Sequence, residues 1–501
     1  MSGRRGWGRA CALLLTVLLW VSLVPPAMAA AATARPWDFN GDGRPDMAVG
    51  VPGENAGAGA VVVMRGTATG VRTRGSLRFS QADARIPGTP EAGDQFGAAL
   101  ASGDFDGDGY ADLAVSTPRE GTATDEEVGT VTVLYGDARG LSTARAHRLP
   151  RPAQPLGDPD PAEDAMGFGL AAADFNGDGR HDLVVSTNAG RGGVLVFAGR
   201  ATGLGRVPVA QIGPHFGLPE LGGAFPGDLA VGDLDGNGVS DLVIGAMESQ
   251  IAEGAVVVVY SARGRGLDVA GKAVPAAQVW TQDSPGVESR AESLDAFGSA
   301  VGVGDVTGDG RNDLVVAALQ EPNGDTDAIG ALHVLKGSAR GVTANGDVYL
   351  RHDALITDAL GALGDDLAVG DLDGDRIADV AVSAGHRTEH RWGRVLVLKG
   401  SSSGLSVAGQ LTQADAGIPG RLAAVDYWGS NIRIRNVGGA RPADLLVSDP
   451  YEVVGGRQAG MVTVLWGATG MPPAGTARGL TQESPGVVGG SERHDRFGGA
   501  I

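Results

Sequence analysis

Cysteine is nearly absent. The single one in 501 residues, Cys11, lies in an N-terminal apolar stretch. The rest of the chain therefore cannot be stapled by disulfides and must be held by packing, closure of the fold or bound metal. After Ala34 no run is long and apolar enough to read as a membrane span. No amphipathic 3.6-residue periodicity stands out, so helices are not expected to build the core. Basic charge is in deficit: 40 Lys and Arg face 59 Asp and Glu, a formal net charge of −19 and the opposite of a nucleic-acid binder. Catalytic signatures are missing as well. There is no His-Glu-x-x-His pair and no phosphate loop. The eight histidines are scattered, and only His386 and His390 fall close together. No catalytic residue is assigned, and a binding role is favoured over an enzymatic one.

The N-terminus reads as an export signal. Arg4, Arg5 and Arg9 precede the apolar run Cys11 to Val24; Pro25 and Pro26 break it, and Ala27-Met28-Ala29 offers a small-x-small cleavage site. The expected organisation is a signal peptide over 1–29 and a folded domain over 30–501. Removing the three signal arginines leaves a charge of about −22. The expected product is a secreted, extracellular protein without a membrane span, and a monomer.

What is abundant is glycine, 83 residues, and a repeat. A nine-residue acidic segment recurs at Asp38 to Asp46, Asp104 to Asp112, Asp174 to Asp182, Asp233 to Asp241, Asp305 to Asp313 and Asp371 to Asp379. A degenerate copy, Asn436 to Asp444, keeps only its last aspartate. The closing aspartates are 66, 70, 59, 72, 66 and 65 residues apart. Such a period is the mark of a repeat architecture. Each unit shows about four strand signals. An aromatic-Gly segment such as Phe96-Gly97 or Phe297-Gly298 comes first. The acidic loop then leads to a short apolar run such as Leu183-Val184-Val185, and a third run follows, such as Ala255 to Tyr260. A fourth ends in Phe79-Ser80-Gln81, Trp280-Thr281-Gln282, Leu411-Thr412-Gln413 or Leu480-Thr481-Gln482. Continuous short apolar runs read as strands buried on both faces. Four antiparallel strands repeated radially predict an all-β fold, a seven-bladed β-propeller. The first unit lacks an aromatic-Gly strand, and the chain finishes with one, Phe497 to Ile501. This strand is expected to complete the first blade and close the ring; the alternative is a truncated eighth repeat.

Loop positions 1, 3, 5 and 9 carry oxygen side chains, with Gly at 4 and usually at 6. Ca²⁺ takes six to eight oxygens in forgiving geometry, and clustered carboxylates repel one another unless a cation lies between them. The expected metal ligands are Asp38, Asn40, Asp42 and Asp46; Asp104, Asp106, Asp108 and Asp112; Asp174, Asn176, Asp178 and Asp182; Asp233, Asp235, Asn237 and Asp241; Asp305, Thr307, Asp309 and Asp313; and Asp371, Asp373, Asp375 and Asp379. Loop 2, with four aspartates, is expected to bind best. Loop 6 carries Arg376 where the others have Gly, which is expected to strain the turn, and loop 7 is expected to be empty. About six Ca²⁺ ions would lower the charge to about −10.

Phe-Gly, then Gly-Asp-x-Asp/Asn-Gly-Asp-Gly-x-x-Asp-Leu-x-Val, then a small-residue turn, resembles the FG-GAP repeat of integrin α heads and related bacterial exported proteins. The resemblance implies a seven-bladed propeller with Ca²⁺ between the first and second strands of its blades. The Gly-Ala-Pro element is loose here, as in Gly50-Val51-Pro52 and Ser116-Thr117-Pro118. More blades carry calcium loops than the four usual in integrins, and an integrin-type heterodimer does not carry over. Ligand binding or adhesion, to an extracellular protein or carbohydrate, is the expected role. The loops of the opposite face, 118–129, 152–166 and 321–329, are the expected contact surface. A propeller hydrolase or polysaccharide-cleaving enzyme with its active site on that same face is the alternative.

Overall fold

The computed structural model describes residues 34–121, 128–149, 166–187, 193–213, 228–247, 253–267, 277–292, 294–321, 329–355, 363–385, 393–421, 427–437, 442–470 and 477–501. The expected signal segment, His386 and His390, and most of the loops 118–129, 152–166 and 321–329 lie outside these residues.

Six four-stranded antiparallel sheets and one of three strands follow in chain order and form a seven-bladed ring. Blade 1 holds Met47–Val51, Ala60–Thr67 and Gly70–Phe79. Blade 5, a complete example, holds Phe297–Gly304, Asp313–Ala318, Ala331–Lys336 and Thr343–Arg351. Among the described residues the only helices are the single turns Glu54–Gly57 and His352–Leu355. Seven large apolar clusters each lie between two neighbouring blades. The second strands explain the uninterrupted apolar runs. In Asp182–Thr187, Leu183 and Val185 face blade 2 while Val184 faces blade 4. A strand packed on both faces has no polar side to alternate with.

The aromatic-Gly pair is a bulge. Between Phe297 and Val301 the register of the first strand slips against the second, and Gly298 has φ of +90°. A Cβ there would lie 2.5 Å from the Ala255 carbonyl oxygen, so only glycine fits. Phe96, Phe297 and Phe497 have no exposed surface.

Residues 497–501 close the ring as expected. Gly50 N–H donates to the Ala500 carbonyl at 2.8 Å, and Gly498 N–H to the Gly50 carbonyl at 3.0 Å. Phe497 and Ile501 share one cluster with Met47, Val49 and Val62 of blade 1 and Leu446, Val462 and Val464 of blade 7. This supplies the strand that the three-stranded sheet lacks. The first strands of all seven blades surround a central channel of about 450 Å³.

The recurrent Gln ending the fourth strands is an inter-blade latch. Gln413 Nε2 donates to Glu452 Oε2 of the next blade at 2.6 Å, and Gln482 Nε2 to Glu54 Oε2 at 2.6 Å across the ring closure. Gln81 pairs with Glu120 and Gln282 with Glu321 in the same way. The second oxygen of the glutamate is held by its own blade: Arg78 at 3.1 Å from Glu54, Arg148 at 2.9 Å from Glu120, and the Tyr349 hydroxyl at 2.6 Å from Glu321.

Candidate metal centres

Loops 2 to 6 each join a first strand to a second, and loop 1 leads into the second strand of blade 1, so all of them open on one face of the ring. Position 1 organises the turn. In loop 2, Asp104 Oδ1 accepts the N–H of Gly107 at 2.7 Å and of Asp108 at 3.2 Å, while its Oδ2 accepts that of Gly109 at 3.1 Å. Position 3 accepts the N–H of position 5 (Asp108 to Asp106 Oδ1, 3.3 Å), and position 5 that of position 7 (Tyr110 to Asp108 Oδ1, 3.0 Å). Asp174, Asp233, Asp305 and Asp371 repeat the role of Asp104. At positions 3 and 5 these bonds use one carboxylate oxygen and leave the second, whereas the turn takes up both oxygens of position 1. One oxygen each from Asp104, Asp106 and Asp108 lie within 4.8 Å of one another. The same holds for Asp233, Asp235 and Asp241, and for Asp371, Asp373 and Asp379. Loops 1, 3 and 5, with Asn40, Asn176 and Thr307 at position 3, form no such triple among the described residues.

Position 9 differs in kind. Asp112 Oδ2 accepts the Phe105 N–H at 2.9 Å and its Oδ1 the Gly136 N–H at 3.0 Å, which ties the loop to the end of the third strand. Asp46, Asp241 and Asp379 make the same two bonds; Asp313 likewise accepts the Gly337 N–H but takes the N–H and Oγ1 of Thr307, at position 3, as its second partner. Asp444 makes both bonds, to Val437 and Gly467. The degenerate seventh loop thus keeps the one acid the blade needs. Burial pushes the Asp112 carboxyl up to about 8, those of Asp46 and Asp182 to about 7, and those of Asp241 and Asp379 to about 6, with the neighbouring loop aspartates adding repulsion. A cation beside them would hold them ionised.

Three loops meet side-chain cations, loop 3 through Arg180 Nη2, which is 2.6 Å from Asp178 Oδ2. Arg145 Nη1 stands 2.7 Å from Asp106 Oδ2 while its guanidinium lies over the Tyr135 ring. In loop 6, Lys399 Nζ contacts both Asp373 and Asp375. Arg376 takes the left-handed conformation glycine takes elsewhere, with φ of +75°, the strain expected from its position.

Two further polar groupings escape sequence reasoning because the fold assembles them from distant residues. In the channel, Arg433 Nη1 lies 3.1 Å from Asp366 Oδ2, and Asp228 Oδ2 accepts the Val301 N–H at 3.0 Å. Burial raises both aspartates, Asp366 to about 7. Their only signal in the sequence is the phrase Asp-Leu-Ala-Val-Gly-Asp, which runs through both first strands into the acidic loops. In blade 5, Ser289 Oγ is 3.2 Å from His333 Nε2, and His333 Nδ1 is 2.9 Å from Asp347 Oδ2. Asp347 reaches inward from a bulge in the fourth strand and also accepts the Glu288 N–H at 3.0 Å. His333 is fully buried between Phe297 and Tyr349.

The fold and these loops define a class, the seven-bladed β-propeller with acidic loops on one face. Within it, the profile of the FG-GAP repeat matches residues 33–64, 96–134 and 297–335, and that of the FG-GAP-like repeat matches 174–244. The chain carries FG-GAP repeats, and integrin α chains are among its homologues. Integrin alpha-IIb of Mus musculus is 34% identical over 158 residues, 30% of this chain and 14% of that protein. Integrin alpha-V of Gallus gallus is 29% identical over 239 residues, 45% of this chain and 20% of its own. Phosphatidylinositol-glycan-specific phospholipase D of Rattus norvegicus is 34% identical over 160 residues, 31% of this chain and 18% of that protein. The chain therefore spans less than a fifth of the length of the first and third of these relatives. An exotype rhamnogalacturonan lyase superposes on 83% of this chain and 70% of its own, with a TM-score of 0.44 and 14% identity. That likeness is too distant to carry a statement about chemistry. Among the described residues no helix is long and apolar enough to cross a membrane.

Proposed function

We propose that the protein is an exported propeller, residues 30–501 after removal of a signal peptide over 1–29. It is rigidified by Ca²⁺ at its acidic loops and binds an extracellular protein or glycan. The observation that carries this reading is the convergence of the loop carboxylates. At positions 3 and 5 of loop 2 the turn bonds take one oxygen of each aspartate, and one oxygen each from Asp104, Asp106 and Asp108 lies within 4.8 Å of the others, a donor set of hard oxygens suited to Ca²⁺. Loops 1 to 5, Asp38 to Asp46 through Asp305 to Asp313, would hold ions through their side chains at positions 1, 3 and 5. The closing aspartates brace them and can share an oxygen. The metal supplies charge neutralisation and stiffness, while the ligand surface is the opposite face, where the loops joining second to third strands emerge from the scaffold. The test is a glycan and peptide array probed with the calcium-loaded chain and again in EDTA. A calcium-dependent ligand supports the reading, and a protein that takes up no Ca²⁺ at millimolar concentration overturns it.

The hydrogen-bond chain Ser289–His333–Asp347 supports a second reading, a hydrolase, because nucleophile, base and orienting acid stand in the order such chemistry uses. Ser289 is in the loop leading into the first strand of blade 5, on the face opposite the acidic loops. A fluorophosphonate probe that labels the chain but not Ser289→Ala would favour it. Absence of labelling leaves the three residues as a buried anchor for that loop.

A further inference from the structure

Loop 6 departs from the other acidic loops in what occupies its centre. Asp373 and Asp375, at positions 3 and 5, each spend Oδ1 on the turn, accepting the N–H of Asp375 at 3.1 Å and of Ile377 at 2.9 Å. Their Oδ2 atoms are the ones a metal would take. Both are held instead by Lys399 Nζ, which is 2.8 Å from Asp375 Oδ2 and in contact with Asp373 Oδ2. Lys399 ends the third strand Arg394–Lys399, immediately before Gly400, whose N–H is bound by the closing Asp379 at 3.0 Å.

The equivalent residues before the corresponding bracing N–H are Arg65, Tyr135, Ala198, Tyr260, Lys336 and Trp466. Arg65 is directed to the Arg139 carbonyl of the next blade. Lys336 Nζ lies beside Gly346 on the outer strand, 3.8 Å from where a Cβ would stand. Loop 5 also has Thr307 at position 3, so that lysine has no pair of carboxylates to bridge. Of the carboxylates of its loop, Arg145 in blade 2 pairs with Asp106 and leaves Asp104 and Asp108 outside the pair, and Arg180 in loop 3 pairs with Asp178, whose loop has Asn176 at position 3. Only in blade 6, among the described residues, does an ammonium bridge positions 3 and 5. Arg376 adds a second positive charge within the same turn.

We propose that loop 6 is neutralised by the chain's own Lys399 and is not a calcium site at millimolar Ca²⁺, although it keeps all four aspartates. This rests on the calcium reading of the other loops and lowers the expected number of ions from six to five. A unit positive charge about 4 Å from a divalent ion weakens its binding about thirtyfold even in a water-like dielectric. For an extracellular site of about 10⁻⁴–10⁻³ M, that moves half-saturation to about 3–30 mM. Lysine performs at this blade what metal performs at the others. Blade 6 therefore stays braced when calcium is withdrawn.

The test is equilibrium dialysis against 1 mM Ca²⁺ with metal analysis, on the whole exported chain, its Lys399→Met variant and its Asp375→Ala variant. The expected result is one additional ion per chain in Lys399→Met and no change in Asp375→Ala, because a loop without metal has none to lose. Asp375 and Lys399 are both partly exposed, 37% and 41%, so both variants should fold. Unchanged content in Lys399→Met together with loss of one ion in Asp375→Ala would overturn the proposal, showing that calcium displaces the lysine. No bound ion in any of the three would remove the calcium reading itself, and this proposal with it.

Discussion

At position 9 of the loops a single aspartate joins three pieces of chain, and its retention in loop 7 shows what it is for. Asp444 serves two backbone N–H groups in a buried setting. Asp444→Ala leaves both donors without that carboxylate, at about 1–3 kcal/mol for each group so stranded. The expected outcome is a fall in Tm of several degrees with no change in calcium content. Asp108→Ala is the converse. Asp108 is more exposed and gives its backbone only the Tyr110 bond, so the variant should lose one Ca²⁺ and show a Tm deficit that appears in calcium and vanishes in EDTA. Metal analysis paired with thermal unfolding checks both. An ion lost from Asp444→Ala would contradict the division of labour between positions 5 and 9.

Between elements, the blade junctions carry buried acids that respond to pH. Asp295 lies beside the Gln282–Glu321 latch. Burial pushes its carboxyl up to about 7, with Glu321, Glu292 and Glu253 adding repulsion. Asp94 and Asp495 occupy the matching positions at two other junctions and are raised to about 6, again chiefly by burial. An unfolded aspartate titrates near 4. The folded state therefore keeps these protons where the unfolded chain has released them. The stability they contribute is full below about pH 4 and is lost as pH rises through about 6 to 7. In EDTA, Tm should rise on acidification from pH 8 to pH 6, and Asp295→Asn should flatten that slope while still accepting the Glu292 N–H. A slope of the opposite sign in the parent protein would show that the junction acids are ionised and paired at neutral pH.

For the whole molecule, closure of the ring and, on the proposed reading, bound calcium are the two devices that stand in for disulfides. Deleting residues 497–501 exposes the edge of the strand Met47–Val51 and uncovers the surface that Phe497 fills between blades 7 and 1. The aromatic alone accounts for about 3–5 kcal/mol, and an unpaired inner edge is an aggregation site. The deletion should secrete poorly or aggregate, and Phe497→Ala should lower Tm without aggregating as severely. Five calcium sites at tenfold excess over their dissociation constants would add about 7 kcal/mol by mass action. Withdrawal by EDTA should then lower Tm by many degrees, and an unchanged midpoint would end the calcium reading.

The sequence by itself determined the architecture, for a physical reason: a propeller is a local instruction repeated. The acidic turn, the bulged glycine of the first strand and the apolar second strand recur within about seventy residues, and seven closing aspartates announce seven blades. Ring closure was legible too, because a first blade without its inner strand and an unpaired copy at residues 497–501 fit each other. The tertiary structure decided what depends on neighbours. The recurrent Gln of the fourth strand is meaningless until Glu of the next blade faces it, and Ser289, His333 and Asp347 meet only when a loop and two strands are packed. Loop 6 is the sharpest instance. Its four aspartates and its spacing match its siblings, yet Lys399, twenty residues beyond the loop's last aspartate, lies between two of them. Spacing along the chain reports which groups can converge. Only the fold reports which charge arrives at the centre.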